Sequence, residues 1–269
     1  MPVIQGLEGT FDTVASKYAK FRPGYPDDLY QMLFAYIPID ALSNVVEVGI
    51  GSGQASRPVL ETGCALTAVE CGENFSRLCR EKFAEYKRFS VITDKFEHVD
   101  FPDAQYDLVY SATAFHWVPE ETGYRKVYDM LKSGGAFARF ANHPYRDKGN
   151  PALSAEIDEL YVRYYDAYYG RDRGTGGETA KEYSEGQAAA LAQIAGKYGF
   201  TDIRHAMFYR TRTFSAEEYV ELLGTYSDHI AIEESIRKAF FAEIEKAINR
   251  HGGVFTLYDT IDLELARKS

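Results

Sequence analysis

The residues best suited to chemistry sit in one short stretch, Val45-Val46-Glu47-Val48-Gly49-Ile50-Gly51-Ser52-Gly53-Gln54. An apolar run of strand type carries one acid, and glycines then turn the chain where a helix begins. Such a turn lets backbone amides approach a ligand at the carboxyl edge of a sheet. Three ligand classes use turns of this kind, and spacing separates them. A phosphate-binding loop needs GxxxxGK[ST], and no lysine follows these glycines. A dinucleotide loop needs GxGxxG, but the third glycine position falls on Gln54 counted from Gly49 and on Ser56 counted from Gly51. What remains is Glu47, two positions before Gly49, Gly51 and Gly53. A carboxylate there repels a pyrophosphate at short range and attracts a cation.

Two more acids end the next strand-like runs. Glu70 closes Thr67-Ala68-Val69-Glu70, where a carboxylate accepts from two ribose hydroxyls. Asp94 follows the third run and is placed to accept from an adenine amino group, with Phe96 near enough to pack on the ring. Taken alone, Glu70 and Asp94 each read first as a solvated residue after a strand. In register at three successive strand ends, they point to one nucleoside ligand with a cationic part and no phosphate, a description that S-adenosylmethionine meets. Methyl transfer from a sulfonium is an in-line displacement in which alignment supplies much of the rate, so a dedicated base is optional. His116, in Ala114-Phe115-His116-Trp117 after the fourth run, is the candidate base, because imidazole titrates near neutrality. A ring that only packs the cofactor's rim and bonds to backbone is the competing reading.

The elements that must position these groups alternate. Strand-like runs at 45–48, 65–69, 90–92, 106–110 and 135–140 are separated by helical stretches at 54–62, 74–86 and 119–131. That order predicts a parallel sheet with right-handed crossovers and helices on both faces. Pro58 is tolerable if its helix starts near Ala55, because first-turn amides have no intrahelical partner. Residues 1–38 read as two short helices broken at Arg22-Pro23-Gly24-Tyr25-Pro26, and runs at 203–213 and 253–263 as later strands. The expected organisation is one domain over 1–269: a helical lid at 1–38, a cofactor-binding core at 39–142, a cap insertion at 143–200, and C-terminal strands and helices at 201–269. In the cap, Tyr161, Tyr164, Tyr165, Tyr168 and Tyr169 follow helical spacing and read first as packing, and the glycine-rich stretch 170–177 as a lid or a plain surface loop.

With 30 Lys+Arg against 40 Asp+Glu the formal net charge is −10, which opposes binding to a phosphate backbone. Cys64, Cys71 and Cys79 form no CxxC, so neither a disulfide framework nor a metal site is expected. The absence of a long apolar run argues against a membrane span, and the cysteine usage and first residues favour a cytoplasmic protein.

The stretch from Val45 to about Phe140 resembles the class I S-adenosylmethionine-dependent methyltransferases, with EVGIGSG (47–53) as the glycine motif and TAVE (67–70) as the ribose-binding acid. FPDAQYDLVYSATAFHWV (101–118) resembles the fourth-strand motif of the small-molecule branch, the trans-aconitate and ubiquinone-biosynthesis-like enzymes. Phe11-Asp12 through Tyr18, followed by the RPGYP stretch, is similar to the N-terminal helix of the trans-aconitate-like group. The resemblance implies a Rossmann-like α/β fold: a seven-stranded, mostly parallel sheet whose last strand runs antiparallel, with helices on both faces and a helical cap. It implies S-adenosylmethionine as cofactor, with Cys71, Ser111 and Ala112 beside it and Arg22 on its carboxylate under Tyr18. The implied partner is a small-molecule acceptor, with no nucleic acid, no membrane and no metal. Arg139, His143, Arg146, Arg210 and Arg212 would favour an acceptor carboxylate if they converge, and Tyr226-Ser227-Asp228-His229 is a further candidate for the pocket. A cofactor-binding regulatory or scaffolding protein without catalysis, or an NAD-dependent oxidoreductase, remains as an alternative.

Overall fold

The computed structural model describes residues 21–146, 149–171 and 182–269. In chain order these form α1 (Asp27–Tyr36), β1 (Asn44–Val48), α2 (Ser56–Leu60), β2 (Ala65–Glu70), α3 (Glu73–Lys82), β3 (Phe89–Thr93), β4 (Tyr106–Ala112) and α4 (Glu120–Met130). There follow β5 (Leu131–Arg146), α5 (Pro151–Leu160), α6 (Glu185–Ala192), β6 (Thr201–Ser215), α7 (Ala216–Leu223), α8 (Ser227–Ile230), α9 (Glu234–Arg250) and β7 (Val254–Arg267). No helix among the described residues is long and apolar enough to cross a membrane.

The seven strands form one sheet in the order β3-β2-β1-β4-β5-β7-β6. β1 pairs in parallel with β2 on one side and β4 on the other, placing Glu47 opposite both Ala68 and Tyr110. β2 and β3 are parallel, with Glu70 opposite Thr93. The crossovers leave β1 in opposite directions, which is where open α/β sheets bind ligands. β7 runs against β5: the Gly134 amide donates to Lys268 and the Lys268 amide donates to Gly135, while the Ala141 amide donates to Asp262 further back along β7. The expected mixed sheet with an antiparallel last strand is therefore present.

Contacts divide the chain into two compact units. One comprises Pro23–Asn142, Tyr183–Phe208 and Ile261–Ser269. Its strands are buried on both faces, because successive side chains point to opposite sides. Val45, Leu66, Leu108 and Tyr110 join Leu29 and Leu33 of α1, Val59 of α2 and Phe83 in one apolar layer. Val46, Val48, Val109 and Phe137 join Tyr124, Val127 and Met130 of α4 in the other. Pro58 sits in the first turn of α2, which is capped at Ala55. Residues 183–200, expected in the cap, group with this unit, where Ala195 and Phe200 complete the second layer. β5 is longer than the expected 135–140: it starts at Leu131, and its register with β4 shifts between the Tyr106 and Leu108 pairs. Gly134, at φ +78°, takes the backbone through this irregularity, a conformation open to glycine.

The described residues of the other unit are Phe21, Arg22 and those within His143–Glu182 and Tyr209–Thr260. Its core joins Leu153, Ile157 and Leu160 of α5 to Leu222 of α7 and Phe240, Ile244 and Ile248 of α9. α5 continues through a wide π-helical turn at Tyr161–Asp166 into Ala167–Tyr169. Tyr161 and Tyr165 are buried there, and their hydroxyls meet His229 Nε2 at 3.0 Å and Asp228 at 2.7 Å. The tyrosine-rich stretch thus packs the unit and holds the 226–229 segment; residues 172–177 of the glycine-rich stretch lie outside the described residues.

Candidate active site at the carboxyl edge of the sheet

β1 ends at Val48, and the three glycines that follow all take positive φ, between +54° and +74°. At Gly49 a side chain is excluded twice, by its φ of +74° and by Ala114, whose Cβ would lie 2.4 Å from an added Cβ. The turn is fastened from three sides. The Gly49 and Ile50 amides donate to Val69 at 2.9 and 3.3 Å. Lys82 Nζ donates to the carbonyls of Ser52 at 2.8 Å and Gly53 at 3.2 Å. Cys79 approaches the Gly51 carbonyl at 3.1 Å.

Glu70 is the link between this turn and α3. One carboxylate oxygen accepts from the Gly51 amide at 2.8 Å and the other from the Gly72 amide at 2.9 Å. With 7% of its surface exposed, it is held at the rim of the site, where β2 ends. Cys71 beside it carries an exposed thiol 3.6 Å from the same carboxylate.

Glu47 lies beneath the turn and is fully buried. Its Oε2 accepts from Ser56 Oγ at 2.6 Å and from the Tyr110 hydroxyl at 2.7 Å. Burial pushes its carboxyl up to about 7, against the lowering effect of those two donors. A raised folded-state value means that the native state holds this proton more tightly than the unfolded chain. Its contribution to stability is therefore full below about pH 4.5 and is lost as pH rises through about 7, a change of about 3 kcal/mol. Glu47→Gln is accordingly expected to stabilise the ligand-free protein by up to about 3 kcal/mol at pH 8 and to change little at pH 4. Urea titrations at the two pH values check this, and equal changes at both would show that Glu47 is not the titrating group.

Four buried polar atoms in and beside the turn have no hydrogen-bond partner among the described residues: Glu47 Oε1, Ser52 Oγ, Gln54 Nε2 and Ser76 Oγ. Buried polar groups are normally paired, and leaving one unmade costs roughly 1–3 kcal/mol. Their mixture of donors and acceptors fits the hydroxyls, ammonium and carboxylate of S-adenosylmethionine. When bound, that cofactor supplies an electrophilic methyl group on sulfur; the chain's task is to hold it and align an acceptor.

The remaining sequence candidates divide. Ser111 is buried and donates to the Val48 carbonyl at 2.7 Å, so it clamps β4 to the end of β1, and Ala112 is the last residue of β4. Asp94 is exposed after β3, accepting from the Lys95 amide at 2.7 Å and meeting His98 Nδ1 at 3.1 Å. The Lys95 amide and His98 hold its carboxyl below the usual range. Phe96 is drawn into the second apolar layer, with the Lys126 ammonium 4.9 Å from its ring centre, so the core takes up the ring that was expected against adenine. His116 is exposed on a short 3₁₀ turn, Phe115–Trp117. Buried Phe115 anchors the turn against Phe137 at 4.8 Å.

Arg22 belongs to the other unit, where it donates to Thr225 Oγ1 at 2.9 Å and to the Thr225 carbonyl at 3.1 Å and lies 4.0 Å over the Tyr226 ring. Tyr18 lies outside the described residues. The four arginines considered for an acceptor carboxylate each meet a group of the chain. Arg139 donates to the Tyr124 hydroxyl at 2.6 Å, Arg146 pairs with Asp158, and Arg210 and Arg212 both reach buried Asp259.

Two residues at this edge escaped sequence reasoning. Thr113, directly after β4, sits at φ +54°, a strained conformation for a β-branched residue. Its Oγ1 is 2.6 Å from the Tyr25 hydroxyl and accepts from the Asn142 amide at 3.2 Å. The RPGYP stretch is thereby tied to the ends of β4 and β5, and Tyr25 packs edge-on against Phe140 at 4.7 Å. The tyrosine in that stretch was the only available signal, since nothing local announces a threonine with positive φ.

Comparison with known proteins agrees with this geometry. Residues 46–138 match a family described as "Methyltransferase domain". The chain is 24% identical over 242 residues to an uncharacterised methyltransferase of Schizosaccharomyces pombe, covering 89% of this chain and 87% of that one. A putative type II methyltransferase from Anaeromyxobacter dehalogenans superposes with a TM-score of 0.60 at 19% identity, over 92% of this chain and 98% of that one. A phosphoethanolamine N-methyltransferase of Haemonchus contortus, solved with S-adenosylhomocysteine, gives 0.56 at 14% identity; it covers 99% of this chain, which spans 60% of that protein's length. The glycine turn, the buried acid that ends β2 and the match of residues 46–138 to a methyltransferase domain together support a class I S-adenosylmethionine-dependent methyltransferase.

Proposed function

We propose that the methyl group is delivered to a small organic acceptor in the space after β4, beside the Phe115–Trp117 turn. The observation that carries this reading is the placement of an exposed imidazole, His116, on a turn anchored by a buried ring at the strand end that follows the cofactor residues. The net charge of −10 supports a small molecule over a nucleic acid. No charge is assigned to the acceptor, because the arginines that would gather a carboxylate already meet groups of the chain.

His116 is the proposed base for an acceptor that must lose a proton. His116→Ala is expected to lower kcat by roughly 10²–10⁴-fold while the Kd for S-adenosylmethionine changes less than about twofold. Isothermal titration and steady-state rates on one preparation separate the two effects, and an unchanged kcat removes His116 from the chemistry. The function itself is tested by transfer of labelled methyl from S-adenosylmethionine to a panel of small amines, phenols and carboxylic acids, with duplex DNA and RNA as controls. Transfer only to nucleic acid contradicts the proposal.

A further inference from the structure

Glu47 is a buried ionisable group that the methyl-transfer reading leaves without a defined task. Both of its hydrogen bonds fall on Oε2, from Ser56 and Tyr110, while Oε1 is buried with no partner among the described residues. The ionisable groups facing it come from four neighbouring elements: Tyr30 of α1, Glu70 of β2, Cys79 and Lys82 of α3, and Tyr110 of β4, while α2 contributes the Ser56 hydroxyl. Burial pushes the Cys79 thiol up to about 12 and raises both tyrosines well above their ordinary value, so these three stay neutral across the neutral range. Glu70 opposes a negative charge on Glu47, and the Lys82 ammonium favours it. The carboxyl is thus a group whose ionisation a nearby added charge decides.

We propose that Glu47 senses the charge on the cofactor's sulfur, ionised while the sulfonium form is bound and protonated again when the neutral thioether product remains. The inference rests on the cofactor assignment above and goes beyond it. Both ligands carry the same ammonium and carboxylate, which cancel to first order, and the same adenosine. They differ by one positive charge at sulfur. An opposite charge within about 4–6 Å favours an ionised carboxylate roughly ten- to a thousandfold. Binding of the sulfonium form therefore expels the Glu47 proton to solvent. After transfer, the acceptor holds the methyl group and sulfur its electron pair; Glu47 loses its counter-charge and takes a proton back from solvent. The product consequently binds a site that no longer buries a charge to match it, and the balance between substrate and product depends on pH.

The test is isothermal titration of the wild-type protein with S-adenosylmethionine and S-adenosylhomocysteine at several pH values, in buffers of different ionisation enthalpy. Near pH 7 the sulfonium ligand is expected to release about half a proton, and its Kd to weaken about tenfold from pH 8 to pH 6. The Kd of the thioether is expected to change less than about threefold over the same range. Glu47→Gln removes the difference between the two slopes. An ionisation at the adenosine end would move both slopes alike, so it cannot imitate this result. Equal slopes for the two ligands in the wild type overturn the inference while leaving the cofactor assignment intact. Failure of either ligand to bind at any pH overturns the assignment itself, and the inference with it.

Discussion

Gly49→Ala is expected to weaken S-adenosylmethionine binding at least about 100-fold and to lower Tm. The substituted residue must hold φ near +74° with its Cβ 2.4 Å from that of Ala114, a contact between two fixed backbone-borne atoms that no rotamer relieves. The conformation alone costs an L-residue roughly 1–2 kcal/mol. The rest of the damage comes from pushing β1's exit away from the turn after β4, which misplaces the amides that approach the ligand. Gly51→Ala separates these effects, because Gly51 also has positive φ, +54°, but no atom of the described residues lies within 4 Å of an added Cβ. It should therefore lower Tm less than Gly49→Ala while still reducing affinity. Differential scanning calorimetry with cofactor titrations checks both, and equal Tm losses would mean that the Ala114 contact is readily relieved.

Glu70→Ala should cost about as much in affinity for a different reason. The carboxylate accepts from the amides of Gly51 and Gly72, so truncation leaves two backbone donors at the rim without their acceptor. It also removes the group assigned to the ribose diol. Hydrogen bonds to a charged group contribute roughly 1.5–3 kcal/mol each, so losing two to the ligand predicts a rise in Kd of about 100-fold or more. Glu70→Gln keeps one acceptor oxygen and should fall between. A Kd within about threefold of wild type in Glu70→Ala would remove the residue from the site.

How much of this was legible in the sequence follows from how local each cause is. The alternation of strands and helices through Phe140 and the glycine turn are written in neighbouring residues, so the sheet and its carboxyl edge could be read directly. Glu70 and Glu47 were legible as acids at strand ends, but not what they hold: the Gly51 and Gly72 amides in one case, and Ser56 and Tyr110 in the other, are set by folding. Phe96 was expected against adenine from its place after Asp94, and its burial in the second apolar layer beside Lys126 is set by folding. The arginines showed their charge but not their partners, and Asp259 is 47 and 49 residues away from the two that it binds. The extra length of β5 and the grouping of 183–208 with the sheet depend on pairing with β7, which lies more than a hundred residues beyond β5.

The most direct test of the central claim is a thermal-shift titration of the wild-type protein with S-adenosylmethionine, S-adenosylhomocysteine and NAD. At about 100 times its Kd, a ligand that binds only the native state stabilises by about 2.7 kcal/mol, a readily measured rise in Tm. The glycine turn, Glu47 and Glu70 predict that rise with both sulfur ligands and none with NAD. A rise with NAD alone, or no response to either sulfur ligand, would contradict the reading of this edge as a methyl-donor site.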